Sequence, residues 1–373
     1  MSEYQYYEFL AIDCPLDADA RAALRDLSSR ARITATSFTN SYQWGDFKGD
    51  PVALMTRWFD LHLYAANWGT RRLMIRLPAR LVDRDRIAAI LAPLEDVTLL
   101  DAGEHVILDI SRQEVEADEA DDDSGWLASL APLRAELLAG DLRLLYLLWL
   151  IAVEDEAVAD DAPEPLPGLA PLTAPLEAFA EYFAINPDLV AAAAERPAAS
   201  AAPDPAAVRA AIAALDPAAT TDLLARAYAG DPHVGVALRH ALRDRLPRPD
   251  AAPAPRTAGA LRERAEDIRR AAEEAAAARQ EEERQRAAAL AERARRARVG
   301  LLAKRGEAAW DALEAEIERR NAAGYDAAAV MLADLRALAA GRDALAGFAT
   351  RLAAIRARHA RKGQFIARLA ALD

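Results

Sequence analysis

The residues best placed to do chemistry sit in two short segments close together in sequence. Trp44, Asp46 and Lys48 belong to the WGDFKGD loop, and Asn67, Trp68, Arg71 and Arg72 to the NWGTRR turn. If the fold brings both segments to one end of a sheet, Asp46, Lys48, Asp50, Arg71 and Arg72 line a cleft walled by Trp44 and Trp68. Guanidinium and ammonium groups beside aromatic walls suit an anionic ligand or a peptide terminus, because a guanidinium meets a carboxylate at two points. The same residues also have structural uses. Asp50 can cap a helix, Lys48 and Arg71 can pair with carboxylates, and tryptophans can plug the end of a domain.

A second set is basic: Arg293, Arg295, Arg296, Arg298, Lys304 and Arg305, with Arg351, Arg356, Arg358, Arg361 and Lys362 further on. Clustered arginines can follow a phosphate backbone, which makes nucleic-acid association an alternative. There is little aromatic interleaving, which single-strand binding would use. A solvated helix face is the plainer explanation.

Signatures of catalysis are missing. The chain has no GxGxxG, GxxxxGK[ST], GxSxG, HExxH or HxE…CxxC, so nucleotide, hydrolase, zincin and deaminase chemistries lose their motifs. His62, His105, His233, His240 and His359 are scattered, with His62 expected on a helix and His105 at the start of a strand. The single Cys14 excludes an intramolecular disulfide or a cysteine zinc site, and it reads as a small buried hydrophobe at a strand end. We therefore expect no catalytic residue, no cofactor and no metal. An enzyme of unrecognised type using the Trp44–Arg72 region is a further alternative.

The elements that must hold the first cluster follow from pattern. YQYYEFLAI, residues 4–12, is rich in aromatic and branched side chains and predicts a strand. Asp17 caps a helix, and residues 33–42 predict a second strand. Asp50-Pro51 is a strong helix start, and Leu54, Trp58, Leu61 and Ala65 continue at helical spacing to about residue 66. Gly69 suits a left-handed stop. Residues 72–77 alternate like a strand with one buried face, and a short helix with Ile87, Ile90 and Leu91 follows. Residues 97–100 and 105–110 predict a hairpin. The order implies an α+β domain over 1–113 with a mixed sheet, ferredoxin-like packing being the first expectation.

Residues 114–125, EVEADEADDDSG, predict an acidic linker. Residues 126–246 predict a helical domain in which 142–153, apolar nearly all round, is the central helix. Proline or Asp-Pro starts mark many of its later helices. A Pro/Ala linker over 247–257 leads into one long charged helix over 258–305, roughly 60 Å long to residue 298 at about 1.5 Å per residue. Its apolar 4-3 spacing lasts about two heptads, too few for a coiled coil along its whole length. Residues 306–373 predict a small bundle with Trp310, Leu313, Ile317, Leu335, Phe348, Leu352 and Ile355 facing inward.

At 373 residues the chain is long enough for two or three domains. Its net charge of −13 is concentrated in residues 114–166, which carry 15 acidic and 2 basic groups. Acidity confined to one segment argues against the whole chain being a nucleic-acid binder. The N-terminus shows no signal-peptide pattern, and the longest uncharged apolar run, 144–153, is about half a bilayer span. The expectation is a cytoplasmic protein with no membrane contact.

The wording YQYYEFLAID…ITATSFTNSYQWGDFKGD…NWGTRRLMIRLP, with GDLRLLYLLWL and FAINPDLVAAAA, resembles a block shared by a family of uncharacterised bacterial proteins of similar length. The resemblance implies a shared architecture and a bacterial origin. The leading expectation is a non-catalytic interaction or scaffold protein, partnered by another protein or by itself, with an N-terminal recognition domain and a projecting helical arm.

Overall fold

The computed structural model describes residues 3–115, 124–198, 204–243, 245–246 and 254–369. Most of the acidic 114–125 linker and of the Pro/Ala linker lies outside the described residues. The chain forms two compact units, Met1–Ala271 and Ala272–Asp373.

The first unit is built on seven strands: β1 (Gln5–Leu10), β2 (Arg32–Ile33), β3 (Ser37–Tyr42), β4 (Leu61–Ala66), β5 (Arg71–Pro78), β6 (Val97–Ala102) and β7 (His105–Arg112). They lie in the order β2-β3-β1-β4-β5-β7-β6. Every pairing is antiparallel, so the sheet is not the mixed one expected. The physical reason lies in residues 58–66. Asp50 accepts from Val52 N at 2.9 Å and Pro51 starts α2, as expected, but α2 (Pro51–Arg57) ends after two turns. The chain then turns and enters β4 between β1 and β5. Leu61, Leu63 and Ala65 face one side of the sheet and His62 and Tyr64 the other. Tertiary pairing that buries both faces of a strand outweighs a helical spacing that is only local. The expected second strand also divides, into β2 and β3, around Thr34–Thr36.

Alternation gives each sheet face its own core. On one face Tyr6, Leu63, Leu73, Ile75, Leu108 and Ile110 pack with Ile87 and Ile90 of α3 (Arg84–Leu91). The same core continues through α4 (Trp126–Leu130), α5 (Pro132–Leu138), α6 (Arg143–Glu154), α7 (Ala174–Tyr182) and α8 (Pro187–Ala194). Residues Leu144–Val153 of α6 are all buried. The sheet and the helices after residue 126 therefore share one core across the expected linker. Three further helices, α9 (Pro205–Ala213), α10 (Pro217–Tyr228) and α11 (Val234–Leu242), carry a small cluster around Ala211, Leu215 and Leu242.

On the opposite face Phe9, Phe38, Met74 and Ile107 pack beneath α1 (Ala18–Leu27) and α2. These helices cover only part of that face.

Helix α12 (Ala258–Arg305) runs for 48 residues. Its start is tied into the first unit by Arg256, which grips Glu164 and donates to the Ala192 and Ala193 carbonyls. The second unit is a bundle of α13 (Ala308–Glu318), α14 (Ala322–Ala340), α15 (Leu345–Arg358) and α16 (Gly363–Leu369) around Leu313, Ile317, Leu332, Phe348 and Phe365.

Candidate groove on the open sheet face

The two expected site segments do come to one end of the sheet. Gln5 of β1 pairs with Tyr42 of β3 on one side and Ala66 of β4 on the other, so the loop after β3 and the turn after β4 leave at the same level. They are not on neighbouring strands, because β1 separates β3 from β4. The cleft that was expected does not assemble. Arg71 and Arg72 are consecutive in an extended strand and point to opposite faces. Arg71 is buried against the helical core, its guanidinium 4.7 Å from the centre of the Tyr182 ring. Trp44 is 77% exposed and Trp68 49% exposed, so neither forms a wall. Asn67 accepts from Tyr4 N at 2.9 Å, Asp46 accepts from Gln5 Nε2 at 3.2 Å, and Lys48 is exposed. Gly69, at φ +87, makes the turn, and a Cβ there would meet the Val115 carbonyl at 2.7 Å.

A different site forms on the uncovered part of the α1/α2 face. Tyr7, Phe47, His62, Tyr64, Thr70, Arg72, Glu95, Asp96, Thr98, Asp109, Ser111 and Gln113 line an open groove of about 540 Å³. Of the expected residues, Arg72 alone belongs to it. The loop reaches back over the sheet through Phe47, which packs 4.9 Å from Tyr7 and 5.8 Å from Phe38, centre to centre.

Arg72 is not a free cation. Its Nε donates to Asp109 Oδ1 at 2.8 Å and its Nη2 to Oδ2 at 2.6 Å. These charge-assisted bonds hold the guanidinium above its ordinary pKa. With Arg72 neutralised and Glu95 and Asp96 at the rim, the lining is acidic, and the anionic ligand expected from Arg71 and Arg72 finds no site here.

His62 sits fully buried among the lining residues, stacked on Phe9 with ring centres 3.9 Å apart. Its Nδ1 lies 3.0 Å from the Glu8 carbonyl. A carbonyl only accepts, so Nδ1 carries the proton. Burial, supported by the Arg72 charge and opposed by the carbonyl bond, pushes the imidazole down to about 3. At neutral pH the ring is uncharged, and Nε2 is left as a lone-pair acceptor. That atom is buried and has no hydrogen-bond partner. Tyr7 and Tyr64 both donate to Gln5 Oε1, at 2.7 and 3.2 Å, and burial raises the pKa of both phenols.

A second polar cluster, at the other end of the same strands, is saturated. Buried Asp60 accepts from Ile12 N at 2.6 Å, Asp13 N at 2.9 Å, and Arg76 Nη2 at 2.9 Å. Arg134 joins Asp13 at two points, 2.9 and 2.6 Å, and donates to the Arg76 carbonyl at 2.7 Å. His233 Nε2 lies 3.1 Å from Asp13. We read this cluster as a clamp between the sheet, α5 and the segment before α11. Cys14, next to it, is exposed rather than buried.

The basic residues of the second unit are largely occupied by their own chain. Arg295 and Arg296 both donate to Glu292, and Arg298 to Asp334. Arg351 pairs with Glu307, Arg358 with Glu314 and Lys362 with Glu318. Of the first patch, Arg293, Lys304 and Arg305 remain as unengaged candidates among the described residues. No group of histidine, cysteine and carboxylate side chains able to hold a metal occurs among the described residues. Nor is any described helix long and apolar enough to cross a membrane.

Sequence reasoning missed Tyr7, Phe47, His62, Tyr64, Asp96 and Asp109. The available signal was the alternation in LHLYA, which places His62 and Tyr64 on the same face of a strand. No protein-family model, no curated protein and no solved structure matches the chain.

Proposed function

We propose that the protein is a non-catalytic interaction protein whose first unit recognises a ligand or a partner segment in the open groove, while its helices act as a scaffold. The observation that carries this reading is His62 Nε2. An unmet buried acceptor costs about 1–3 kcal/mol, and the residue that carries it is among those lining a groove large enough for a small ligand. A bound donor would recover that cost. Catalysis draws little support from the same residues. An imidazole held down to about 3 is a poor general base near neutral pH, and the lining contains no cysteine or lysine nucleophile. The location that accompanies this reading is the cytoplasm, where an exposed thiol such as Cys14 stays reduced.

The test is thermal denaturation of the full chain against cationic, neutral polyhydroxy and anionic probes, repeated with His62→Phe. The reading predicts that at least one class raises Tm in the wild type and that the rise is lost in the variant. No rise with any class, or a rise that His62→Phe leaves intact, would overturn it.

A further inference from the structure

The groove's hydrogen-bonding inventory identifies what it lacks. Its donors are mostly spent internally. Both tyrosine hydroxyls give their protons to Gln5, Thr70 donates to Gln113 Oε1 at 2.6 Å, and Arg72 gives Nε and Nη2 to Asp109. Its acceptors are in excess: His62 Nε2 and the carboxylates of Glu95 and Asp96, both exposed at the rim. The charge points the same way. Arg72 is the only cation among the described lining residues, against Asp109, Glu95 and Asp96. Beside them stand the rings of Tyr7, Phe47 and Tyr64, and aromatic faces attract organic cations once water is displaced.

We propose that the groove binds an organic cation of the guanidinium or amine class, with an N–H directed to His62 Nε2, the charge met by Asp96 and Glu95, and the carbon skeleton against Tyr64 and Phe47. This rests on the groove being a recognition site and adds the chemistry of its occupant. An anion is disfavoured because every carboxylate of the lining opposes it and the one guanidinium is already held. A neutral polyol satisfies His62 but leaves the rim charge unanswered. The same chemistry arrives either as a free small molecule or as an arginine or lysine side chain of a partner peptide.

Isothermal titration of the full chain with agmatine, with an uncharged-flank peptide containing a single arginine, with glucose and with inorganic phosphate separates these cases. Agmatine, the peptide or both should bind, weakening as salt rises, while glucose and phosphate should not. Asp96→Asn and Glu95→Gln change exposed side chains and keep the fold. Each should lower cation affinity by several-fold, and the pair by roughly tenfold or more. His62→Phe and His62→Gln should each weaken binding, the glutamine variant covering the case in which phenylalanine disturbs packing. Agmatine binding alone assigns the free small molecule, and peptide binding alone assigns the partner side chain. Phosphate or glucose binding that His62→Phe abolishes would overturn the cation assignment while leaving the recognition groove standing. No binding by any of the four probes would overturn both.

Discussion

Arg72 and Asp109 meet across β5 and β7 through two parallel hydrogen bonds of 2.8 and 2.6 Å, lying diagonally in the ladder with Asp109 opposite Met74. The pair sets the character of the groove, because it removes the one positive charge that would otherwise attract an anion. Asp109→Asn should cost about 2 kcal/mol in urea denaturation, since a half-buried guanidinium loses its counter-charge. It should also make the groove less acidic and reduce cation binding. Replacing both partners, Arg72→Met with Asp109→Leu, should cost less than Asp109→Asn alone. A double variant that proves the less stable of the two would contradict this account of the pair.

Asp60 is expected to be the most sensitive polar residue of the sheet. It accepts from two backbone N–H groups and from Arg76 while fully buried. Asp60→Ala would strand Arg76 and both amides, so a loss of about 3–5 kcal/mol is predicted. Asp60→Asn, which keeps the shape, should lose less. Equilibrium denaturation within about 0.5 kcal/mol of wild type would show that the clamp contributes little.

The pH dependence carries a signature of His62. Its folded pKa is depressed, from 6.5 to about 3, so between those values the unfolded chain binds a proton that the folded chain refuses. The stability this provides is complete above pH 6.5 and is lost as pH falls toward 3, with a slope approaching about 1.4 kcal/mol per pH unit. Half-buried Glu8 works in the opposite sense, because desolvation raises its carboxyl pKa. Comparing wild type with His62→Gln isolates the histidine contribution. The variant should lose stability less steeply across this window, and parallel curves would refute the buried neutral imidazole.

In the second unit, reversing Arg295 and Arg296 to glutamate should affect stability more than nucleic-acid retention. Both arginines donate to Glu292, whose carboxyl they hold down to about 2. Salt-sensitive retention of the wild type on DNA, abolished by the reversal, would instead revive phosphate-backbone binding.

What the sequence made legible were features decided by a few neighbouring residues. Asp50-Pro51 caps and starts α2, residues 72–77 alternate, and the all-apolar run of α6 is buried as expected, while Gly69 takes its left-handed φ in the β4–β5 turn rather than as the expected helix stop. What it concealed depended on strands distant in the chain. Trp58, Leu61 and Ala65 keep a helical spacing with Leu54, and only the flanking ladders of β1 and β5 reveal 61–66 as a strand. Placing that segment on a helix hid His62 and Tyr64, and with them the groove. Arg71 and Arg72 were legible as an unusual pair, but the strand that separates them by face also separates them by role. The exposed tryptophans drew attention for their type, while the aromatic walls came from Tyr7, Phe47 and Tyr64.

The central claim is that His62 presents an unpaired acceptor to a ligand, and imidazole nitrogen NMR of the selectively labelled protein tests it directly. Near neutral pH, Nδ1 should carry the proton and Nε2 should appear as an unprotonated nitrogen. On addition of agmatine or the arginine peptide the Nε2 resonance should shift, while Nδ1, held by the Glu8 carbonyl, stays in place. A proton found on Nε2, or an Nε2 resonance unmoved by any probe that binds, would contradict the claim.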